Sequence, residues 1–150
     1  MKVFTVSLFG HRKNENIWRL ENRLTRVITE LIQDQPYVVF LIGRNGEFDE
    51  YAASIIKHIQ KNIDRENSDL TLVLPYRVAD MEYYKNYYDN IIISDTLCNA
   101  HPKSAITLRN RWMVEHSDLS IFFMEQNKGG TYQTWKYAIK IGKSTLLLQL

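Results

Sequence analysis

Cysteine is almost absent from this 150-residue chain. The single Cys98 excludes an intrachain disulfide and any zinc site built on several thiolates. A large charge of one sign is missing too. Nineteen Lys and Arg against seventeen Asp and Glu leave a net +2, too little for a strongly basic nucleic-acid cradle. No apolar run approaches the ~18 residues of a membrane span. The opening MKVFTVSLFG lacks the apolar length and the small-residue cleavage site of a secretory signal. What remains is 45% apolar and 24% charged, the composition of a globular chain long enough for one core. The expectation is one domain over residues 1–150, cytoplasmic and without membrane contact.

Three prolines and six glycines punctuate the chain. Between them, apolar β-rich runs predict strands at 3–9, 37–42, 70–74, 90–94, 119–124 and 144–148. Helices are predicted at 16–31, 48–63, 80–88, 103–116 and 131–141. In the first, Ile17, Leu20, Leu24, Val27, Ile28 and Leu31 recur at spacings of three and four; in the second, Tyr51, Ala52, Ile55, Ile56 and Ile59 do. The strand runs are continuous rather than alternating, so both faces of the sheet are covered. Strand and helix alternate throughout. Right-handed crossovers then give an α/β, doubly wound, mostly parallel sheet of about six strands with helices on both faces.

In such sheets ligands bind beyond the carboxyl ends of the strands, where the strand order reverses. Three glycine-bearing loops fall there, each before a helix. They are Gly10-His11-Arg12, the loop from Gly43 through Gly46 and Glu47 to Asp49, and Lys128-Gly129-Gly130-Thr131. Glycine lets backbone N–H groups approach an anion, and a helix start adds partial positive charge. A phosphate-bearing, nucleotide-like ligand fits this pattern. None of the loops has the Walker or GxGxxG spacing, which disfavours ATP hydrolysis and nicotinamide chemistry. Gly at a strand end is also an ordinary turn residue.

Each candidate has a functional and a plain reading. Arg12 would fork a phosphate and His11 bond a phosphate or ribose, or both form a surface turn. Glu47 and Asp49 would accept ribose hydroxyls, assist glycosidic cleavage, or cap a helix. Arg109 would reach a phosphate from a neighbouring helix, or stand in solvent. Asn110 would brace the glycine loops. Gly129, Gly130 and Thr131 would cradle phosphate, with Thr131 also a candidate N-cap. Tyr83, Tyr84, Tyr87 and Tyr88 read first as packing, with base stacking as the other choice. Asp95 is a further pocket candidate, and Cys98 reads as a small buried apolar side chain. Histidines 11, 58, 101 and 116 form no i,i+4 pair, so neither metal nor cofactor is expected.

The ordered motifs carry a resemblance. Gly10-His11-Arg12, Gly43-x-x-Gly46-x-Phe48-Asp49 with Ala52, and Val73-Leu74-Pro75-Tyr76 come first. Arg109-Asn110-x-x-Met113-Val114-x-x-Ser117-Asp118, then Gly129-Gly130-Thr131 with Tyr137-Ala138 and Gly142-Lys143, follow. The series resembles the SLOG superfamily, the Rossmann-like group of the DprA/Smf and LOG proteins, and within it the small bacterial YpsA- and YspA-like branch. The resemblance implies a single Rossmann-like domain of bacterial or phage type whose pocket takes nucleotides or their derivatives. LOG proteins are phosphoribohydrolases with a catalytic glutamate after their glycine series. Here Tyr132, Gln133, Thr134, Trp135 and Lys136 follow Thr131, with no acid. The expected function is therefore binding of a nucleotide-derived small molecule, as sensor or sequestering protein, in a homo-oligomer. The alternatives are nucleotide N-glycosidic hydrolysis, with Glu47 or Asp49 as the carboxylate, and single-stranded nucleic-acid binding, which the near-neutral charge disfavours.

Overall fold

The apolar runs become six parallel strands among the described residues. They are β1 (Val3–Gly10), β2 (Tyr37–Ile42), β3 (Ser68–Leu74), β4 (Asn90–Ile93), β5 (Leu119–Phe123) and β6 (Thr145–Leu148). The helices between them are α1 (Glu21–Asp34), α2 (Glu47–Asn62), α3 (Met81–Tyr87), α4 (Pro102–Glu115) and α5 (Gly130–Lys140). The structure, a computed structural model, describes residues 2–62, 66–93 and 102–149. Asp95, Cys98 and His101 lie outside the described residues.

Most bounds match the sequence pattern to within one or two residues. The first helix differs. Its predicted start at 16 is a 3₁₀ turn, Ile17–Leu20, and α1 runs on to Asp34. A spacing of three, Ile17 to Leu20, suits a 3₁₀ turn as well as an α-turn. Gln35, before Pro36, is extended (φ −105°, ψ 145°), as the proline ring requires of its predecessor.

The strand order is β4-β3-β2-β1-β5-β6. Successive strands step outward from β1 to β4, then the chain returns and adds β5 and β6 on the other side. The loops after β1 and β5 therefore leave adjacent strands in opposite directions, and a crevice opens between them. Gly10 stands level with Phe123, so both strands end at the same height.

Period-two alternation splits the core between the two faces of the sheet. On one face Val6, Leu8, Phe40, Ile42, Leu72 and Phe123 pack against Leu24, Ile28, Ile32, Phe48, Ile56 and Ile59 of α1 and α2. On the other, Phe9, Leu41, Val73 and Phe122 meet Met113 and Val114 of α4 and Ala138 of α5. No described helix is long and apolar enough to cross a membrane.

Candidate functional site

A cavity of about 990 Å³ opens at the switch point, at the upper end of the range for small-molecule sites. Gly10, His11 and Arg12 enter it from the end of β1, and Gly129, Gly130 and Thr131 from the start of α5. Arg109 and Asn110 line it from α4, and Asp49 from α2.

Arg109 is buried, with 3% of its surface exposed, so the solvated reading of this arginine does not hold. Its Nη1 donates to the Val73 carbonyl at the end of β3 (2.9 Å), and its Nε to Asn110 Oδ1 (2.9 Å). No carboxylate among the described residues pairs with it. Burial pulls its pKa below the ordinary value, and the nearby Asp49 charge partly offsets that. A guanidinium stays charged at any physiological pH, so this is a desolvated cation on a cavity wall, with the Asp49 charge near it but no ion pair among the described residues. Gly43 explains how it fits. A Cβ there would stand 2.8 Å from Nη1, and only glycine leaves the space.

The first turn of α5 presents unpaired backbone donors, because intrahelical bonding begins with Gln133 N–H to Gly129 C=O (3.1 Å). Gly129 is the N-cap, with φ 91° and ψ −177°, a conformation that favours glycine. Thr131 is not the N-cap. It lies inside the first turn because the backbone reversal occurs at Gly129. The Thr134 hydroxyl donates to the Gly130 carbonyl (2.8 Å) and steadies the turn.

Asp49 caps and lines at once. Its carboxylate accepts the Asn45 N–H (3.0 Å) at the start of α2. Burial pushes its pKa up to about 6, against the lowering effect of that hydrogen bond and of Arg109 and Arg12. His11 ties two loops together. Its Nε2 accepts from Gln126 N–H (3.3 Å), and its carbonyl accepts from Asn14 Nδ2 (2.6 Å).

Gly43, Gly46 and Glu47 do not line this cavity. The two glycines are packing positions, Gly43 under Arg109 and Gly46 against the Arg12 backbone. Glu47 is exposed on the first turn of α2, accepts the Asn14 N–H (3.1 Å) and borders a separate hollow of about 470 Å³. Other lining residues had no motif to mark them: Thr107, Arg111 and Gln133; Asn45 lies within the Gly43–Asp49 loop but was not a candidate by itself. The usable signal was helical spacing. Ile106 and Asn110 stand four apart on α4, and Thr131 and Thr134 three apart on α5; all four line the cavity. Among the described residues no three His, Cys, Asp or Glu gather to hold a metal.

The α3 tyrosines form their own cluster. Tyr88 is buried and Tyr83 is 65% exposed. Arg44 lies over the Tyr84 ring (5.4 Å) and Lys57 over Tyr87 (4.1 Å). This is chiefly a packed aromatic layer with cations on it.

No family model and no curated protein matches the sequence. Solved structures do match. DNA processing protein A (DprA) from Streptococcus pneumoniae superposes with TM-score 0.72 at 17% identity, over 99% of this chain and 51% of that one. The Helicobacter pylori protein of the same name, whose structure is described for its single-stranded DNA binding mode, gives 0.70 at 16% identity over 98% and 66%. The chain has a SLOG-like fold. The Chlamydomonas rheinhardtii Moco carrier protein shares it at TM-score 0.58 and 19% identity, over 97% and 76%. The chain spans about half the length of the pneumococcal protein. The narrower likeness to the YpsA-like branch rests on the sequence motifs alone.

Proposed function

We propose that the chain is a binding module that captures a nucleotide or nucleotide-derived small molecule in the switch-point cavity. One observation carries this reading: the buried Arg109 cation on the cavity wall, without a carboxylate partner among the described residues. Desolvating a charge costs several kcal/mol by general estimates unless something compensates it. A phosphate oxygen pair suits the planar guanidinium. The first turn of α5 and Arg12 add donors and positive charge on the same cavity. The test is a thermal-shift screen with mononucleotides, dinucleotides, cyclic nucleotides and a phosphate control. A ligand at 100 times its Kd adds ~2.7 kcal/mol, a rise of roughly 5–10 °C at this size. A flat profile across the panel would sink the reading.

Asp49 favours a second reading, hydrolysis of a nucleotide N-glycosidic bond. A cavity carboxyl with a pKa near 6 can exchange protons at neutral pH. Glu47, outside the cavity, has no part in it. Base release followed by chromatography and lost in Asp49→Asn would support this reading. Binding without base release would dismiss it.

A further inference from the structure

We propose that Asn45 and Asp49 form a sugar subsite in the cavity, which selects nucleotides with a free 2′,3′-diol and rejects their deoxy counterparts. The inference rests on the binding reading above and deepens it. It names the ligand class: ribonucleotides unmodified at both ring hydroxyls.

The two residues are fixed to each other. Asp49 Oδ2 accepts the Asn45 backbone N–H at 3.0 Å, and both residues line the cavity. Two groups of the pair are left unanswered. Among the described residues no donor reaches Asp49 Oδ1. Asn45 Nδ2 is buried without a partner. The first is an acceptor and the second a donor. A buried polar atom without a partner is costly, and a bound group that answers it recovers that cost.

The chemistry of the pair chooses among the parts of a nucleotide. An ionised phosphate offers only acceptors here, and the carboxylate repels its charge. A hydroxyl both donates and accepts, so neighbouring hydroxyls can donate to Asp49 Oδ1 and accept from Asn45 Nδ2. A base edge also offers both, but it stands a whole sugar further from the phosphate. The pair lies close to the cations that suit that phosphate. Arg109 Nη1 packs where a Gly43 Cβ would stand 2.8 Å away, and a Gly46 Cβ would run into the Arg12 backbone. Asn45 is two residues from Gly43 and next to Gly46, so its Cα lies within about 7 Å of both. The charges of Arg109 and Arg12 both act on the Asp49 carboxyl. The sugar is what a nucleotide carries beside its phosphate.

The test is calorimetric titration of the full chain at pH 8, where the Asp49 carboxyl, with a pKa of about 6, is ionised. The probes are the four common ribonucleoside 5′-monophosphates with their 2′-deoxy and 3′-deoxy counterparts. For the base that binds best, each deoxy form is expected to bind at least ~10-fold more weakly than the ribonucleotide. Asn45→Ala deletes the free Nδ2 and keeps the backbone N–H that Asp49 accepts. Asp49→Asn keeps an acceptor for that N–H and loses the charge. In each variant the ribose-to-deoxy affinity ratio should fall to about threefold or less. A merely structural loss weakens both ligands alike and leaves that ratio where it was. Equal affinity for ribo- and deoxynucleotides in the wild type, or a ratio unchanged in either variant, would overturn the inference. Those results would leave the binding reading standing. No binding by any of the nucleotides would overturn both.

Discussion

The two faces of the sheet are built differently. The α1–α2 face is closed by large apolar side chains, with Leu24, Ile28, Phe40, Phe48 and Ile56 at 0% exposure. The α4–α5 face is thinner and more polar. Ser7 there bonds Ser117 (2.5 Å) and the Met113 carbonyl (3.1 Å). The Ser120 hydroxyl is buried without a partner, and Arg109 is a buried cation. One face holds the fold together. The other gives up packing for polar groups and a cavity, as sites commonly do at the expense of stability.

The largest effect is expected on the dry face. Phe48 stacks on Phe123 with ring centroids 6.2 Å apart, and Phe48→Ala should cost ~3–5 kcal/mol in urea unfolding. A loss under about 1 kcal/mol would erase the contrast. Asp49 comes next. Its folded pKa of about 6 lies above the ordinary carboxyl value. The folded state therefore holds a proton that the unfolded chain releases between pH 4 and 6, and wild-type stability falls as pH rises through that window. Asp49→Asn should remove the fall, a gain on the order of 2 kcal/mol at pH 8 relative to pH 4. Parallel stability profiles for the two proteins would contradict it. Ser120→Ala should then stabilise the chain by ~1 kcal/mol by deleting a buried hydroxyl without a partner, and a loss of stability there would show that the hydroxyl is answered. The smallest stability change is expected for Arg109→Met, within about 1 kcal/mol, because the lost desolvation cost offsets the lost bond to Val73. A collapse of the fold would make Arg109 a structural pin instead.

The same contrast explains what could be read from the sequence. Strands and helices were legible because apolar runs break at Gly10, Pro36, Gly43 and Pro75, and the α1 and α2 stripes have a clear helical period. The onset of α1 was not, because Ile17 and Leu20 fit two kinds of turn. Gly10 to Arg12 and Gly129 to Thr131 were legible as glycine loops at strand ends. Gly43 and Gly46 look the same in sequence, yet their smallness admits the Arg109 guanidinium and the Arg12 backbone rather than a ligand. The burial of Arg109 had no local signal, since its partner Val73 lies 36 residues away. Thr107 and Gln133 were invisible for a related reason. Their places on the cavity wall depend on how α4 and α5 are set against the sheet.

The most direct test of the account is NMR chemical-shift mapping of the chain titrated with the best nucleotide from the thermal screen. Shifts are expected at the Gly129, Gly130 and Thr131 amides and at the Arg109 Nε–H, with α1 and the buried face of α2 silent. Shifts confined to the α1–α2 face or to the α3 tyrosines, with Arg109 unmoved, would contradict it.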